Sequence, residues 1–147
     1  MKRTPRHVAM DCLARREHSV RELKERLHKA FPELTVEVFE QVIAQLQEDN
    51  LQSDVRFTEA YVRHRTARGH GDVKIRFELL QRGIADHLSD TVLQSCNWYE
   101  LAEAALIKKF DGISPENYEE KARMARFLQQ RGFAYDVIEE LIDLRQL

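Results

Sequence analysis

Apolar residues recur along this chain at steps of three and four, the spacing that lines one face of a helix. The first such helix is predicted from Pro5 to Arg16, with Val8, Ala9, Cys12 and Leu13 inward. The segment Arg15–Ser19 breaks it. Ser19 and Glu22 have capping-box spacing, so a second helix should start there and carry Val20, Leu23 and Leu27 on its inner face. Phe31-Pro32 stops that helix, because a residue before proline is pushed out of the α region. Thr35 caps a third helix with Val38, Val42, Ile43 and Leu46 inward; it ends near Asn50, and Leu51 packs as the chain leaves.

The stretch from Asp54 to Ile84 predicts two further helices around a glycine turn. Asp54 can cap the first, which places Phe57, Ala60 and Tyr61 on one face. Gly69 and Gly71 allow the turn. Asp72 can cap the second, where Val73, Phe77, Leu80 and Ile84 form the apolar stripe and Gly83 closes the helix. Arg56, Arg63, Arg65, Arg68, Lys74, Arg76 and Arg82 lie mostly off these seams, so the stretch reads as an apolar core with a cationic outer surface.

A sixth helix is expected from Ala85 to Cys96, with Leu88, Val92 and Leu93 buried. Asn97 and Glu100 have cap spacing for a seventh that carries Trp98, Leu101, Ala105 and Phe110 and ends at Gly112. Ser114-Pro115 is a cap followed by proline and predicts the start of an eighth helix, which Gly132 closes. The ninth holds Val137, Ile138, Leu141 and Ile142 and runs to the C-terminus.

Nine helices fall into a repeat. KAF at Lys29–Phe31, RGI at Arg82–Ile84 and RGF at Arg131–Phe133 each follow a second helix and precede a third, at offsets of 53 and 49 residues. The predicted fold is all-α: three tandem three-helix units spanning 1–52, 53–96 and 97–147. One unit of this size buries its apolar faces poorly alone, so neighbours must stack, and stacking in line gives an elongated, curved body.

Composition agrees with this picture. Of 147 residues, only 5 are Gly and 3 are Pro, which leaves long stretches free to be helical. No apolar run approaches the roughly 20 residues needed to span a bilayer, and the N-terminal residues lack a signal-peptide core, so a cytoplasmic protein is expected. Cys12 and Cys96 are far apart and expected to be reduced. The net charge of −2 hides blocks of +5 over 1–31, −6 over 32–55, +4 over 56–82 and −5 over 83–147. Such blocks can build basic and acidic faces.

Enzyme chemistry finds no support in the residue pattern. There is no GxxxxGK[ST] phosphate loop, no HExxH and no paired CxxC, and the six histidines lack ligand spacing. Ser19 reads as a helix cap rather than a nucleophile. Carboxylate pairs such as Glu119-Glu120 and Glu139-Glu140 fall on outer faces. No catalytic, cofactor or metal site is predicted.

RREHS at Arg15–Ser19 with Glu22-Leu23, DVRFTEAYVRHR at Asp54–Arg65, GHG at Gly69–Gly71 and KIRFELLQRGI at Lys74–Ile84 together resemble the RecX family. The resemblance covers the first two units; the third is similar in its helical phasing and RGF turn. Ala30 stands where that family usually has a glycine, and Asp72 where proline is common. The resemblance implies tandem three-helix repeats and a negative regulator of the RecA recombinase. Such a protein binds the RecA–single-stranded-DNA filament and restrains ATP hydrolysis, strand exchange and coprotease activity. A curved helical body can lie in the filament groove and add many small contacts through effective concentration. The expected partner-binding residues are Arg15, Arg16, Arg21, Arg56, Arg63, Arg65, Arg68, Lys74, Arg76 and Arg82, acting from a monomer with no membrane partner. The other reading is a three-helix DNA-binding module, in which the same arginines meet phosphates of single- or double-stranded DNA directly.

Overall fold

The computed structural model of the chain describes residues 2–143, and all regular structure among them is helical. The helices are α1 (Pro5–Arg15), α2 (Val20–Ala30), α3 (Val36–Glu48), α4 (Asp54–Ala67), α5 (Asp72–Gln81), α6 (Asp86–Leu93), α7 (Trp98–Phe110), α8 (Tyr118–Gln130) and α9 (Tyr135–Leu141). None is long and apolar enough to cross a membrane. The last helix was expected to run to the C-terminus; it ends at Leu141, where Ile142 turns extended, and residues beyond 143 lie outside the described residues.

Extensive helix packing falls inside three successive groups: α1–α3, α4–α6 and α7–α9. Each group has its own apolar core. Ala9, Leu23, Ile43 and Leu46, continued by Val8, Leu27 and Phe39, fill the first. Phe57, Val62, Ile75, Leu79, Ile84 and Leu93 fill the second. Ala102, Met124, Leu128, Phe133, Ile138 and Ile142 fill the third. Trp98 packs against both the second and third cores, so it is the apolar bridge between them. Both cysteines pack at core edges, Cys12 in the first unit and Cys96 in the second.

The whole chain exposes 9581 Å², whereas a compact chain of this mass exposes roughly 7,800 Å².

Local starts and stops follow capping chemistry, with corrections to the expected residues. Ser19 and Asn97 cap as predicted, by accepting from the amides of Glu22 and Glu100. Thr4, unanticipated, forms a capping box with His7. The cap of α4 is Ser53 rather than Asp54, and that of α5 is Gly71 rather than Asp72; both aspartates are the first helical residue instead. Ser114-Pro115 does not start α8. Asn117 does, because its side-chain oxygen Oδ1 accepts from the Glu120 amide at 2.9 Å.

The inner faces also need correcting. Phe39, Thr58 and Val62 are buried, while Leu51 is exposed. In α5 the buried residues are Ile75 and Leu79; Val73, Phe77 and Leu80 are exposed. The helix has two apolar stripes, and the core takes the pair at 75 and 79.

Successive units also meet through a recurring joint made from turns. The start of the second helix of one unit rests on the Arg-Gly turn of the next. At the first joint, the Ser19 hydroxyl donates to the Arg82 carbonyl at 2.8 Å, and a methyl on Gly83 would come within 2.6 Å of the Arg21 β-carbon. At the second, the Gly71 amide donates to the Arg131 carbonyl at 2.7 Å, and a methyl on Gly132 would collide with the β-carbon of Lys74. Gly83 and Gly132 also have φ of 84° and 89°, a region that disfavours any side chain. The recurring Gln-Arg-Gly of 81–83 and 130–132 is therefore the stacking element itself. Ala30 holds the matching place in the first unit, where it is exposed.

Candidate functional site

The first joint carries a lattice of arginines and glutamates. Arg16 at the end of α1 bonds Glu22 of α2 through both terminal nitrogens, at 3.1 and 3.2 Å. Glu22 also lies 3.9 Å from Arg82, whose guanidinium sits 4.8 Å over the ring of Tyr61. The Tyr61 hydroxyl donates to Glu78 at 3.1 Å, and Arg65 grips the same carboxylate with two bonds of 3.0 and 2.9 Å. Arg56 bonds Glu17 at 3.1 Å and the Asn50 side chain at 2.7 Å. Four of the expected cations, Arg16, Arg56, Arg65 and Arg82, are thus brought together across α1, α2, α4 and α5.

Two further links hold this region in register. Asp54 accepts from the Val20 amide and from the Gln52 side chain, each at 2.9 Å. Gln52, buried, also donates to the His18 carbonyl at 3.1 Å. Burial raises the Tyr61 phenol above its ordinary value, so it keeps the proton it donates to Glu78. Beside the lattice is a cavity of about 480 Å³ lined by Arg16, Glu17, Glu22, Tyr61, His64 and Arg82 among others.

The remaining candidates are not part of this lattice. Arg21 is 3.6 Å from Glu25 on its own helix. Arg76 reaches the other way, to Asp86 at 3.5 Å and Asp90 at 2.9 Å on α6. Lys74 is half-buried at the second joint. Arg15, Arg63 and Arg68 are exposed, and their guanidinium groups have no ion pair among the described residues. The expected single sheet of free cations is therefore two populations: arginines clamped by carboxylates and a few left open. Each clamped guanidinium has five donors in a rigid fork, so it can hold its glutamate and still offer N–H groups outward.

The residues missed by the sequence reading are the clamps. Glu17, Glu22 and Glu78 lie between 6 and 39 positions from arginines they hydrogen-bond, beyond the reach of helix periodicity for all but the nearest. Arg131 was missed as well; it donates to the Arg68 carbonyl at 3.1 Å and lies 5.1 Å over the ring of Phe127. Its signal was present in the second Gln-Arg-Gly.

A family model described as the second three-helix domain of RecX matches residues 53–93, and one described as the third matches residues 97–142. The chain belongs to the RecX family. It is 38% identical over 144 residues to "Regulatory protein RecX" of Pseudomonas tolaasii, an alignment that covers 97% of this chain and 92% of that protein. The protein of the same name from Pseudomonas putida strain W619 is also 38% identical, with 97% and 91% covered. Among solved structures, RecX from Lactobacillus salivarius superposes with a TM-score of 0.78 at 21% identity, over 97% of this chain and 96% of that one. A second structure, of a regulatory protein RecX, gives 0.75 at 23% identity and covers 95% of this chain and 73% of that chain. These superpositions bear on the fold. The family matches extend over the third unit, where the sequence resemblance had rested on phasing and a single turn.

Proposed function

We propose that this RecX-family chain is a negative regulator of RecA that binds the RecA–single-stranded-DNA filament and restrains its ATPase, strand-exchange and coprotease activities. The observation that carries the reading is the family match along nearly the entire chain, shared with proteins named regulatory protein RecX. The form of the molecule agrees with it. Three rigid units joined at polar turns present a long surface, and a long surface can touch successive protomers of a helical polymer. Contacts linked in this way reinforce one another without any single one being strong. Occupying the filament groove would keep out a second DNA strand and resist the protomer movements that hydrolysis requires.

The open cations Arg15, Arg63 and Arg68 are the best candidates for direct contact, since their N–H groups face solvent. The clamped set, Arg16, Arg56, Arg65 and Arg82, forms a stiffer patch with fixed donors. Direct binding of phosphates by this side is the second reading, favoured by the three guanidinium groups that no carboxylate of the described residues neutralises.

A RecA ATPase assay on single-stranded DNA, paired with filament-length measurement, tests the proposal. Wild-type protein should inhibit at concentrations where it barely holds free DNA. A folded variant with Arg15, Arg63 and Arg68 all changed to alanine should lose much of that inhibition. Unchanged RecA activity at saturating wild-type protein would remove the regulator reading. Inhibition that tracks free-DNA affinity across a salt series would favour the phosphate reading, because phosphate contact weakens steeply with salt.

A further inference from the structure

The second helix of each unit can be compared with its two counterparts inside the same chain. Buried Leu23 and Leu27 of α2 correspond to Ile75 and Leu79 of α5 and to Met124 and Leu128 of α8. In that register Val73, Phe77 and Leu80 correspond to Arg21, Glu25 and His28 in the first unit, and to Ala122, Arg126 and Gln129 in the third. The outward face is polar or small in both neighbours and apolar in the middle unit. Val73 is 56% exposed, Phe77 61% and Leu80 50%. Their burial is not what folds the unit, because Ile75 and Leu79 already supply the core.

This face is one wall of a groove of about 630 Å³. The other wall is α6, with Asp86, Asp90 and Leu93, and Trp98 lies at its end. The Trp98 ring nitrogen is committed to the Leu93 carbonyl at 2.9 Å, so the indole offers hydrocarbon rather than a free donor. Asp72 also lines the groove, but its carboxylate lies beside the Ala134 amide of the third unit. Two carboxylates, Asp86 and Asp90, thus hold the one guanidinium there, Arg76. The surplus is negative. Such a groove repels phosphates and accepts a cation, while its apolar wall accepts a large hydrocarbon side chain.

We propose that the α5–α6 groove docks a segment of a RecA protomer in which a large apolar side chain stands next to a lysine or arginine. The inference rests on the regulator reading and adds a second contact surface of opposite sign to the arginine lattice. One surface would meet acidic groups or phosphates, and the other a basic, apolar knob. A body with both can be held in one orientation on a polymer, because the reversed orientation sets like charges against each other.

The test measures binding to preformed RecA–single-stranded-DNA filaments by co-sedimentation, free-DNA binding by anisotropy, and self-association by sedimentation velocity. Three variants are compared with wild type: V73S/F77S/L80S, F77Q alone, and D86K/D90K, each checked for fold by circular dichroism. The triple serine variant should bind filaments at least about tenfold more weakly, the loss expected when central apolar anchors are removed, with free-DNA affinity unchanged. D86K/D90K should weaken filament binding as well, and F77Q should show part of the loss should the triple variant not fold. Folded variants with wild-type filament affinity would overturn the proposal, as would tighter filament binding by D86K/D90K. A wild-type dimer that the serine changes dissolve without altering filament binding would assign the groove to a second copy instead. Loss of free-DNA affinity in the serine variant would assign it to nucleic acid. Wild-type protein that ignores the filament would remove the regulator reading itself, a result visible before any variant is made.

Discussion

The hydroxyl of Ser19 donates to the backbone carbonyl of Arg82, 63 residues away, at 2.8 Å. The same oxygen accepts from the Glu22 amide at 3.1 Å, so one buried serine both starts α2 and fastens two units. Ser19→Ala should lose the cap and leave the Arg82 carbonyl short of a donor, at a combined cost of about 2–3 kcal/mol. Asn97→Ala removes an exposed cap alone and should cost about 1 kcal/mol. Urea unfolding of both variants checks the difference; equal losses would show that the Ser19–Arg82 bond contributes nothing.

Gly132 combines a φ of 89° with the Lys74 backbone and β-carbon pressed against it. Gly132→Ala should therefore cost more than the roughly 1–2 kcal/mol of a left-handed alanine, because the second joint must also open. Gly112, at φ 72° with no heavy atom within 4 Å of an added methyl, supplies the control. Gly112→Ala should stay at about 1–2 kcal/mol. Hydrogen exchange adds a sharper readout: the Gly71 and Val73 amides, which donate to the Arg131 and Gly132 carbonyls, should lose protection in Gly132→Ala only.

Arg63 and Arg65 are two residues apart and should behave oppositely. Arg65→Ala strips Glu78 of a two-bond partner in a largely buried setting and should destabilise by about 1–3 kcal/mol. Arg63→Ala touches no partner and should change stability by less than about 0.5 kcal/mol. On the regulator reading it lowers filament affinity instead. Thermal melts beside filament co-sedimentation separate the two effects.

Each joint carries a histidine held neutral. Burial lowers the His18 pKa from its ordinary 6.5, against the pull of the Arg16 carbonyl. Burial also lowers that of His70, helped by the charges of Arg65 and Lys74. The unfolded chain therefore takes up these protons at higher pH than the folded one. The stability they contribute is present above 6.5 and is lost as pH falls through the depressed folded values. Melting temperature should drop between about pH 7.5 and about pH 5.5, and the drop should shrink in H18Q/H70Q. Identical pH profiles for the two proteins would assign the acid sensitivity to other groups.

What was legible in the sequence was local or periodic. Ser19 with Glu22 and Asn97 with Glu100 could be read because a cap and its target lie three residues apart. The repeat could be read because Gln-Arg-Gly returns at a constant helical phase. The α5 face was misread because Val73, Phe77 and Leu80 have the same helical spacing as a core stripe, and periodicity cannot choose between two adjacent apolar stripes. Aligning the repeats through Leu27, Leu79 and Leu128 would have chosen Ile75 and Leu79. Asp54 and Asp72 were taken as caps because aspartate favours that place, whereas folding moved the cap one residue earlier and turned Asp54 toward the Val20 amide. The arginine clamps depend on which turn lands on which, and that is decided only once the units stack.

The two Arg-Gly turns have a geometric consequence. The same turn is gripped twice, by a serine hydroxyl at Arg82 and by backbone amides at Arg131 and Gly132, so each block is hung on the next at an equivalent place. The placing of one block on the next then depends on Gly83 and Gly132 as well as on the cores. A bulkier residue at either would shift the block beyond it, so, on the regulator reading, a change at a glycine that offers no side chain of its own would weaken filament binding.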